Sequence, residues 1–413
     1  MARFAKTAVL TVVSVALLCS PTSASATNET LRATDRTQQP LLNTDCLPGP
    51  FQHANFPACF TGPNPDDASS FAPWTHRPYC PPNTTYCVFT NADFQGPGRG
   101  VSIIDEQPPK ANANTTPAVF SISRLLSSAP IHTQGPKHSS PSYEVRDIPG
   151  KGKGLVATRK IRRGEVFMVD YVAVVADGRF PTRVRRAQGR RLLAEAIERL
   201  PMGKEVLSLA RSSSDPENVP AVEDVMKTNS FSVEIDGGEY MALFPRIARM
   251  NHACKPSALT HFNSTTLSNT VTAFRDILPN EEITISYTPF NLPSPARHTA
   301  LLQKWGFTCT CALCTSPPSL LAASDKRRTT ISRLGDKVVK LVSKGNPEAL
   351  RRAAEMYEEV VHAAEREEGL VPHMGGHYEV LGRLWIAAGE GERGVGWVRR
   401  GREEERGFEE GGA

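Results

Sequence analysis

The chain has 413 residues, 39% hydrophobic and 22% charged, enough apolar material for two or three domains at roughly 100–200 residues each, so wholesale disorder is excluded. The formal net charge of +5 arises from 48 basic and 43 acidic residues with interleaved signs, and nothing in that pattern demands a nucleic-acid partner. Outside the first 20 residues no apolar run is long enough to span a bilayer, which excludes a polytopic membrane protein.

In chain order, residues 1–26 read as an export signal. Arg3 and Lys6 precede the uncharged run 7–19, Pro21 interrupts it, and Ala24-Ser25-Ala26 offers the small residues of an A-x-A cleavage site. Cleavage after Ala26 is expected. It predicts a secretory or extracellular protein with no membrane attachment, and an intracellular one if the signal is not used. Loss of Cys19 leaves eight of the nine cysteines. Sequons at Asn28, Asn83, Asn114 and Asn263 are compatible with a glycoprotein on that route.

Residues 27–140 form an extension and linker rich in Pro, Gly, Ser, Thr and Asn that carries Cys46, Cys59, Cys80 and Cys87. In an oxidising compartment these predict two disulfides, with three possible connectivities. Tyr86-Cys87-Val88-Phe89-Thr90 and residues 101–104 read as strands flanking a glycine run at 96–100, and a short helix is predicted at 120–126. This third reads equally well as a loosely ordered, disulfide-stapled extension.

Residues 141–288 alternate predicted strands, such as 166–175 and 271–274, with glycine and charged turns. A helical insert at about 182–228 interrupts them, with Leu192, Leu193, Ala196, Ile197 and Leu200 at helical spacing and a loop at 213–220. The basic run Arg183, Arg185, Arg186, Arg190 and Arg191 lies in this insert and reads as a solvated face or a substrate-facing edge. After a segment at 289–316, residues 317–413 are helical. Ile331, Leu334, Val338 and Leu341 share one face, as do Leu350, Ala354, Tyr357, Val361 and Ala364, and Tyr378, Leu381, Trp385 and Ala388. Gly345-Asn346-Pro347 separates the first two helices. The stripes predict packing between antiparallel helices, and the tail around 403–405 reads as a solvated, frayed end.

Four motifs carry chemistry. Gly150-Lys151-Gly152-Lys153-Gly154-Leu155 precedes the strand-like Val156-Ala157-Thr158. Its glycines let backbone approach a ligand closely, but no helix follows, which argues against a dinucleotide fold. The run at 96–100 is a similar-looking decoy or a faded repeat. Arg249-Met250-Asn251-His252-Ala253-Cys254-Lys255-Pro256 fits metal ligands, a nucleophilic pair or a buried polar turn. A Cys-His hydrolase is disfavoured, because side chains two positions apart rarely face each other. In Glu281-Glu282-Ile283-Thr284-Ile285-Ser286-Tyr287, alternation sets Ile283 and Ile285 against Thr284 and Ser286, and the strand ends at Tyr287, as a cleft-facing phenol or half-buried packing. Cys309-Thr310-Cys311-Ala312-Leu313-Cys314 is most of a thiolate metal site, and Cys254 is the one other cysteine after residue 87. Four thiolates satisfy tetrahedral zinc. The competing reading is disulfides, for which Cys309–Cys311 and Cys309–Cys314 are tight loops.

In this order the motifs resemble those of the SET-domain lysine methyltransferases, with a likeness to the SET-and-MYND-type branch and to fungal SET proteins with an N-terminal extension. The resemblance covers 143–316 and carries the G-x-G-L start, the N-H-x-C-x-P segment, the E-E-[IL]-x-x-x-Y strand and the post-SET C-x-C-x-x-C. No MYND finger is expected, since its Cys and His ligands are missing from 182–228. Ser257 stands where that family usually has Asn, and Asn280 where it usually has a glycine before the acidic pair.

The resemblance implies an α+β SET-domain fold: small β-sheets with a pseudoknot, a helical insert, a zinc-binding post-SET segment at 289–316 and a C-terminal α-helical region. It implies S-adenosyl-L-methionine as cofactor, structural Zn2+, and a protein or peptide lysine as substrate. Nucleic acid is not an expected partner, and no oligomeric state is implied. Lys151, Lys153 and the Gly154-Leu155 backbone match the contacts to the cofactor's carboxylate and amine. Asn251 and His252 match the pair beneath the knot, and Trp305 and Phe307 the aromatics over the adenine. Tyr287 matches the catalytic tyrosine, and Cys254, Cys309, Cys311 and Cys314 the metal ligands. Phe244, Phe290 and Phe307 are candidates for the channel wall, with core packing an equal reading for Phe244.

Overall fold

The computed structural model describes residues 71–96, 98–106, 118–127, 141–213, 215, 217–367 and 374–410, the side chains of 118–121 and 409–410 aside. The export signal, Cys46, Cys59 and the sequons at Asn28 and Asn114 lie outside the described residues.

The elements begin with β1 (Tyr86–Asn91), β2 (Val101–Glu106), α1 (Ala118–Ser127), β3 (Tyr143–Ile148), β4 (Gly152–Ala157), β5 (Val166–Tyr171) and β6 (Val174–Asp177). The insert follows as α2 (Phe180–Arg183), α3 (Arg186–Glu198), α4 (Gly203–Leu207) and α5 (Ala221–Asn229). Then come β7 (Ser230–Ile235), β8 (Gly238–Leu243), a 3-10 turn at Ile247–Arg249, β9 (Asn251–His252), β10 (Ala258–Asn263), β11 (Ser268–Ala273) and β12 (Glu282–Ile285). The chain closes with α6 (Ser294–Trp305), α7 (Pro318–Val342), α8 (Pro347–Arg366), α9 (Met374–Ala387) and α10 (Gly391–Glu410). This is the expected α+β class: small sheets, a helical insert and a C-terminal helical region.

Three sheets are present among the described residues: β1-β2-β6-β8-β7, β10-β11-β5 and β3-β4-β12-β9. The strand expected over 166–175 is two strands, because Val172 and Ala173 carry the chain from one sheet to another: β5 pairs with β11, β6 with β2 and β8. The hairpin β1–β2 is not a loose extension. β2 runs parallel to β6, with Ser102 opposite Val174 and Ile104 opposite Ala176. Its alternate side chains are buried on both faces, as the two-residue period of a strand requires. Cys87, Phe89 and Ile103 enter the core beside Phe167 and Phe244, while Tyr86, Val88 and Ile104 pack with Leu192, Ala196 and Ile197 of α3. A Cys80–Cys87 disulfide staples the start of β1. Gly96, Gly98 and Gly100 lie in the loop of this hairpin, as Gly150 and Gly152 lie at the turn of the β3–β4 hairpin.

The basic run is a solvated face in part: Arg186 and Arg190 pair with Glu223 of α5 at 3.1 and 2.7 Å.

In the C-terminal region, Asn346 accepts the Ala349 N–H at 2.8 Å and Pro347 opens α8, so the expected break falls where capping chemistry places it. The three predicted stripes meet in one core of Leu334, Val338, Tyr357, Val361, Tyr378, Leu381 and Trp385. Each buried Leu or Val there contributes roughly 1.5–3 kcal/mol.

The tail is solvated at Glu403 and Glu405, as expected, but it is not a frayed end. It is a helix, α10, that continues to Glu410. A Cβ on Gly382 would lie 2.6 Å from the Gly394 carbonyl, and one on Gly394 2.5 Å from the Gly382 carbonyl, so α9 and α10 touch backbone to backbone. Glu404 also pairs with Arg163, whose guanidinium lies 5.3 Å from the Phe408 ring centre.

Candidate functional site

The site forms where β4, β12 and β9 lie side by side. β12 is antiparallel to β4, with Ile283 opposite Leu155, and parallel to β9, with Thr284 opposite Asn251 and Ile285 opposite His252. Beyond β9 the chain stays on β12: Ala253 N–H donates to Ile285 O at 3.0 Å, and Ser257 N–H to Thr284 O at 3.1 Å. Ser257 Oγ in turn accepts the Thr284 N–H at 2.9 Å, so the serine holds this crossing together. Asn280 takes the left-handed backbone expected of it, with φ 66°, and its N–H reaches Ala157 O at 2.8 Å. Asp170 of β5, fully buried, accepts the N–H groups of Arg246 and Ile247 at 2.7 and 3.1 Å and holds the turn that leads into Met250 and β9.

Gly154 is the close approach. A Cβ there would lie 2.6 Å from Ile148 Cγ1, 2.8 Å from Asn251 Nδ2 and 3.3 Å from Glu282 Oε1. Asn251 Nδ2 donates to Glu282 Oε1 at 2.9 Å, and Lys151 Nζ sits 2.6 Å from Glu282 Oε2. Lys151, Gly154, Asn251 and Glu282 therefore form one polar cluster. The Lys153 carbonyl faces Asn251 at 3.4 Å, but its ammonium turns outward to Asp147 at 3.3 Å. Leu155 buries its side chain in the core. Glu282 was missed by sequence reasoning, which treated it as half of an acidic pair; its place in an alternating strand, on the face away from the core, was the available signal.

Tyr287 follows β12. Its N–H donates to His252 Nδ1 at 3.0 Å, and its hydroxyl to Met250 O at 2.6 Å. Burial, and secondarily the charge of Glu282, push its phenol above the ordinary tyrosine range, so it stays protonated. His252, Trp305 and Phe307 surround it, with ring centres 5.4, 5.1 and 6.5 Å away. Trp305 Nε1 donates to Thr228 O at 2.9 Å, tying the end of α6 to the insert. Phe244 stands apart: it is fully buried between Phe231 and Phe262, at 5.8 and 5.9 Å, and belongs to the core rather than to a channel wall. Phe290 is partly buried, and its carbonyl accepts from Arg328 at 2.7 Å.

The four expected ligands converge. The sulfurs of Cys254, Cys309, Cys311 and Cys314 all lie within 4.8 Å of one another. Zinc–sulfur bonds of ~2.3 Å in a tetrahedron imply sulfur–sulfur edges of about 3.8 Å. The Cys254 sulfur lies 4.0 Å from that of Cys309 and 3.5 Å from that of Cys314, so the set fits a zinc ion and contains no disulfide. Because His252 Nδ1 accepts from Tyr287, its proton sits on Nε2, which donates to Cys254 Sγ at 3.4 Å. The assumption that residues two apart do not face each other fails here, because the chain turns off β9 at Ala253. His298 Nε2 lies 3.4 Å from Cys314 Sγ. His252 thus links the cysteine cluster to Tyr287.

Residues 152–288 match the SET domain family model. N-lysine methyltransferase SMYD2 of Gallus gallus is 32% identical over 110 residues, covering 26% of this chain and 24% of that protein, and SMYD2 of Homo sapiens gives the same figures. Histone-lysine N-methyltransferase set5 of Schizosaccharomyces pombe is 26% identical over 192 residues, covering 46% of this chain and 56% of that protein. The chain thus spans about a quarter of the length of the SMYD2 relatives and just over half of set5. Over the matched segment it carries a SET domain of the kind found in lysine methyltransferases.

Proposed function

We propose that this SET-domain chain transfers a methyl group from S-adenosylmethionine to the ε-amine of a protein lysine. The observation that carries the reading is the pairing of β9 with β12, which brings Asn251, His252 and Tyr287 to one place beside Gly154. S-adenosylmethionine, when bound, supplies a methyl group on a positively charged sulfur. Gly154, where a side chain would collide with Asn251, leaves the backbone open to the amino-acid end of such a ligand, to which the Asn251 amide turns from Glu282. Lys151 offers a cation to its carboxylate. Trp305 and Phe307 offer flat apolar faces beside Tyr287.

The substrate lysine has an ordinary pKa of ~10.4 and attacks as the neutral amine. The apolar surroundings of Tyr287 favour that neutral form. The amine's lone pair forms the nitrogen–carbon bond as the carbon–sulfur bond breaks, the bonding pair returns to sulfur, and the ammonium product loses its proton to water. No general acid is needed, since the leaving thioether is neutral, so the protein's contribution is alignment and exclusion of water. Tyr287, pinned by Met250 O and His252, supplies a hydroxyl oxygen of fixed position.

Two supporting features concern setting. Cys254, Cys309, Cys311 and Cys314 would hold structural zinc and fix the lid that carries Trp305 and Phe307. The export pattern in residues 1–26 and the Cys80–Cys87 bridge support passage through an oxidising compartment, in which case the thiols load metal before they oxidise.

The test is transfer of a labelled methyl group to a mixture of lysine-containing proteins, run beside a calorimetric titration with S-adenosylmethionine. Wild type is expected to do both. Tyr287→Phe is expected to bind the cofactor, keep its fold within the ~1 kcal/mol of one hydrogen bond, and lose transfer by orders of magnitude, each ~1.4 kcal/mol of alignment being tenfold. Full transfer by the variant would remove Tyr287 from the chemistry. Tight cofactor binding without transfer in the wild type would point to a non-catalytic SET scaffold.

A further inference from the structure

Two arginines lie buried against the cysteine cluster. Arg297 of α6 is 0% exposed, and Arg328 of α7 is 1% exposed. Arg297 Nη1 donates to Leu292 O at 2.7 Å and approaches Asp325 Oδ1 at 3.3 Å, while its Nε and Nη2, both buried, find no oxygen partner among the described residues and have the Cys254 sulfur as their neighbour. Burial works against its charge, yet the sulfurs of Cys254 and Cys314 and the carboxylate of Asp325 hold the net shift upward. Arg328 Nη2 donates to the Cys254 carbonyl at 2.9 Å, Nη1 to Phe290 O at 2.7 Å, and Nε lies 3.5 Å from Glu367. Glu367 is shared with Arg327 at 2.5 Å.

A buried guanidinium with idle donors is costly unless a negative charge lies close by. Three cations, Arg297, Arg327 and Arg328, here face two carboxylates, Asp325 and Glu367. The two buried arginines also repel each other. Four neutral thiols, or two disulfides, add no negative charge. Four thiolates around a divalent zinc carry a net charge of about −2, and that would answer the excess.

We infer that Arg297, with Arg328 behind it, is the buried counter-charge of a zinc tetrathiolate centre, and that α6 and α7 are held to the cofactor-binding crossing by this attraction. The inference rests on reading Cys254, Cys309, Cys311 and Cys314 as metal ligands. Arg297 and Arg328 are positioning residues in it. It explains why two α-helices outside the sheets each send a buried cation inward to Cys254.

The test uses the full chain and zinc alone. Zinc content is measured in wild type, Arg297→Met, Arg297→Gln and Arg297→Lys, and zinc affinity by competition with a chromogenic chelator. Arg297→Met and Arg297→Gln are expected to weaken zinc binding about tenfold to a hundredfold, as loss of a group supporting metal ligands does, with Arg297→Lys retaining most of it. Thermal melts with and without chelator separate charge balance from packing. The melting-temperature rise that zinc produces is expected to be smaller in the neutral variants than in wild type. The metal-free neutral variants lose the Leu292 and Asp325 contacts of Arg297 as well as a like-charge contact, so each variant's own metal-free melt is the baseline from which its zinc-induced rise is taken. Equal zinc affinity and an equal zinc-induced rise in Arg297→Gln would overturn the inference and leave the metal centre standing. Wild-type protein without zinc and with the four cysteines disulfide-bonded would overturn both.

Discussion

At the scale of single residues, Gly154 and Glu282 set the polar end of the site. Gly154→Ala places a methyl 2.6 Å from Ile148 Cγ1 and 2.8 Å from Asn251 Nδ2. Overpacking of this kind costs roughly 1–3 kcal/mol, and Asn251 is the neighbour free to shift. The expected outcome is a protein that still folds but binds S-adenosylmethionine about tenfold more weakly or worse, read by calorimetry beside a thermal melt. Glu282→Gln keeps the volume and removes the charge. The pair with Lys151 is partly exposed and contributes about 0–1 kcal/mol, so stability should hardly change. The Tyr287 phenol should respond, because the Glu282 charge raises its pKa. A downward shift of the Tyr287 phenol, followed by its own ring resonances in a pH titration, is expected in Glu282→Gln, and an unchanged titration would show that the two groups are not coupled.

At the scale of elements, Asp170 shows how one buried carboxylate shapes a strand end. Its removal from water pushes its pKa up to about 6 from 3.8, against the pull of the Ile247 and Arg246 N–H groups. Between those values the folded state binds more protons than the unfolded one, so this group makes stability fall as pH rises from about 4 to about 6. Two pKa units correspond to about 3 kcal/mol, a cost present above pH 6 and relieved below pH 4. Urea unfolding of wild type and Asp170→Asn across that window should give a difference curve of this sign, and a flat difference would refute it. The seam between α9 and α10 carries a second expectation. Gly382→Val puts branched carbons where Gly394 O and Val398 Cγ2 each lie 2.6 Å from the point a Cβ would occupy, so α10 should detach and the melting temperature should fall by several degrees.

These elements also mark what sequence patterns reveal. The run 150–155, the pair Asn251-His252, the strand ending at Tyr287 and the C-x-C-x-x-C were legible because each has short spacing and a distinct chemistry. Asn280 was legible because the left-handed turn tolerates few residue types. The parallel pairing of Val101–Glu106 with Val174–Asp177 was not, since register between strands some 70 residues apart leaves no local mark. The tail was misread because its charges dominate its composition, although Gly375 and Gly382, and Gly394 and Gly401, each recur at seven residues and signal a close helix contact. Arg297 and Arg328 were passed over because arginines on helices ordinarily face water.

At the scale of the whole molecule, the cysteine cluster joins regions far apart in sequence. Cys254 comes from the crossing of β9 and β12, and its three companions follow α6, while α7 reaches back through Arg328 to the Cys254 carbonyl. Stripping metal with a chelator is therefore expected to speed amide hydrogen exchange in Ser294–Trp305 and in the Arg328 end of Pro318–Val342, with α9 and α10 little changed, because those two helices hold each other backbone to backbone at Gly382 and Gly394. Uniform acceleration across all of 294–410 would mean that the helical region stands or falls as one unit with the centre.

The parallel contact between β2 and β6 has a practical consequence. A chain trimmed to begin at residue 141 would keep the whole segment matched to the SET family model, yet lose the hairpin that covers β6. Val174, Val175 and Ala176, all fully buried in the intact fold, would then line an open sheet border with unpaired backbone donors and acceptors. Such a border is a template for adding strands from other molecules. Trimmed protein of this kind should collect in the void volume of a sizing column, whereas a chain beginning at Phe71 should elute as a folded species.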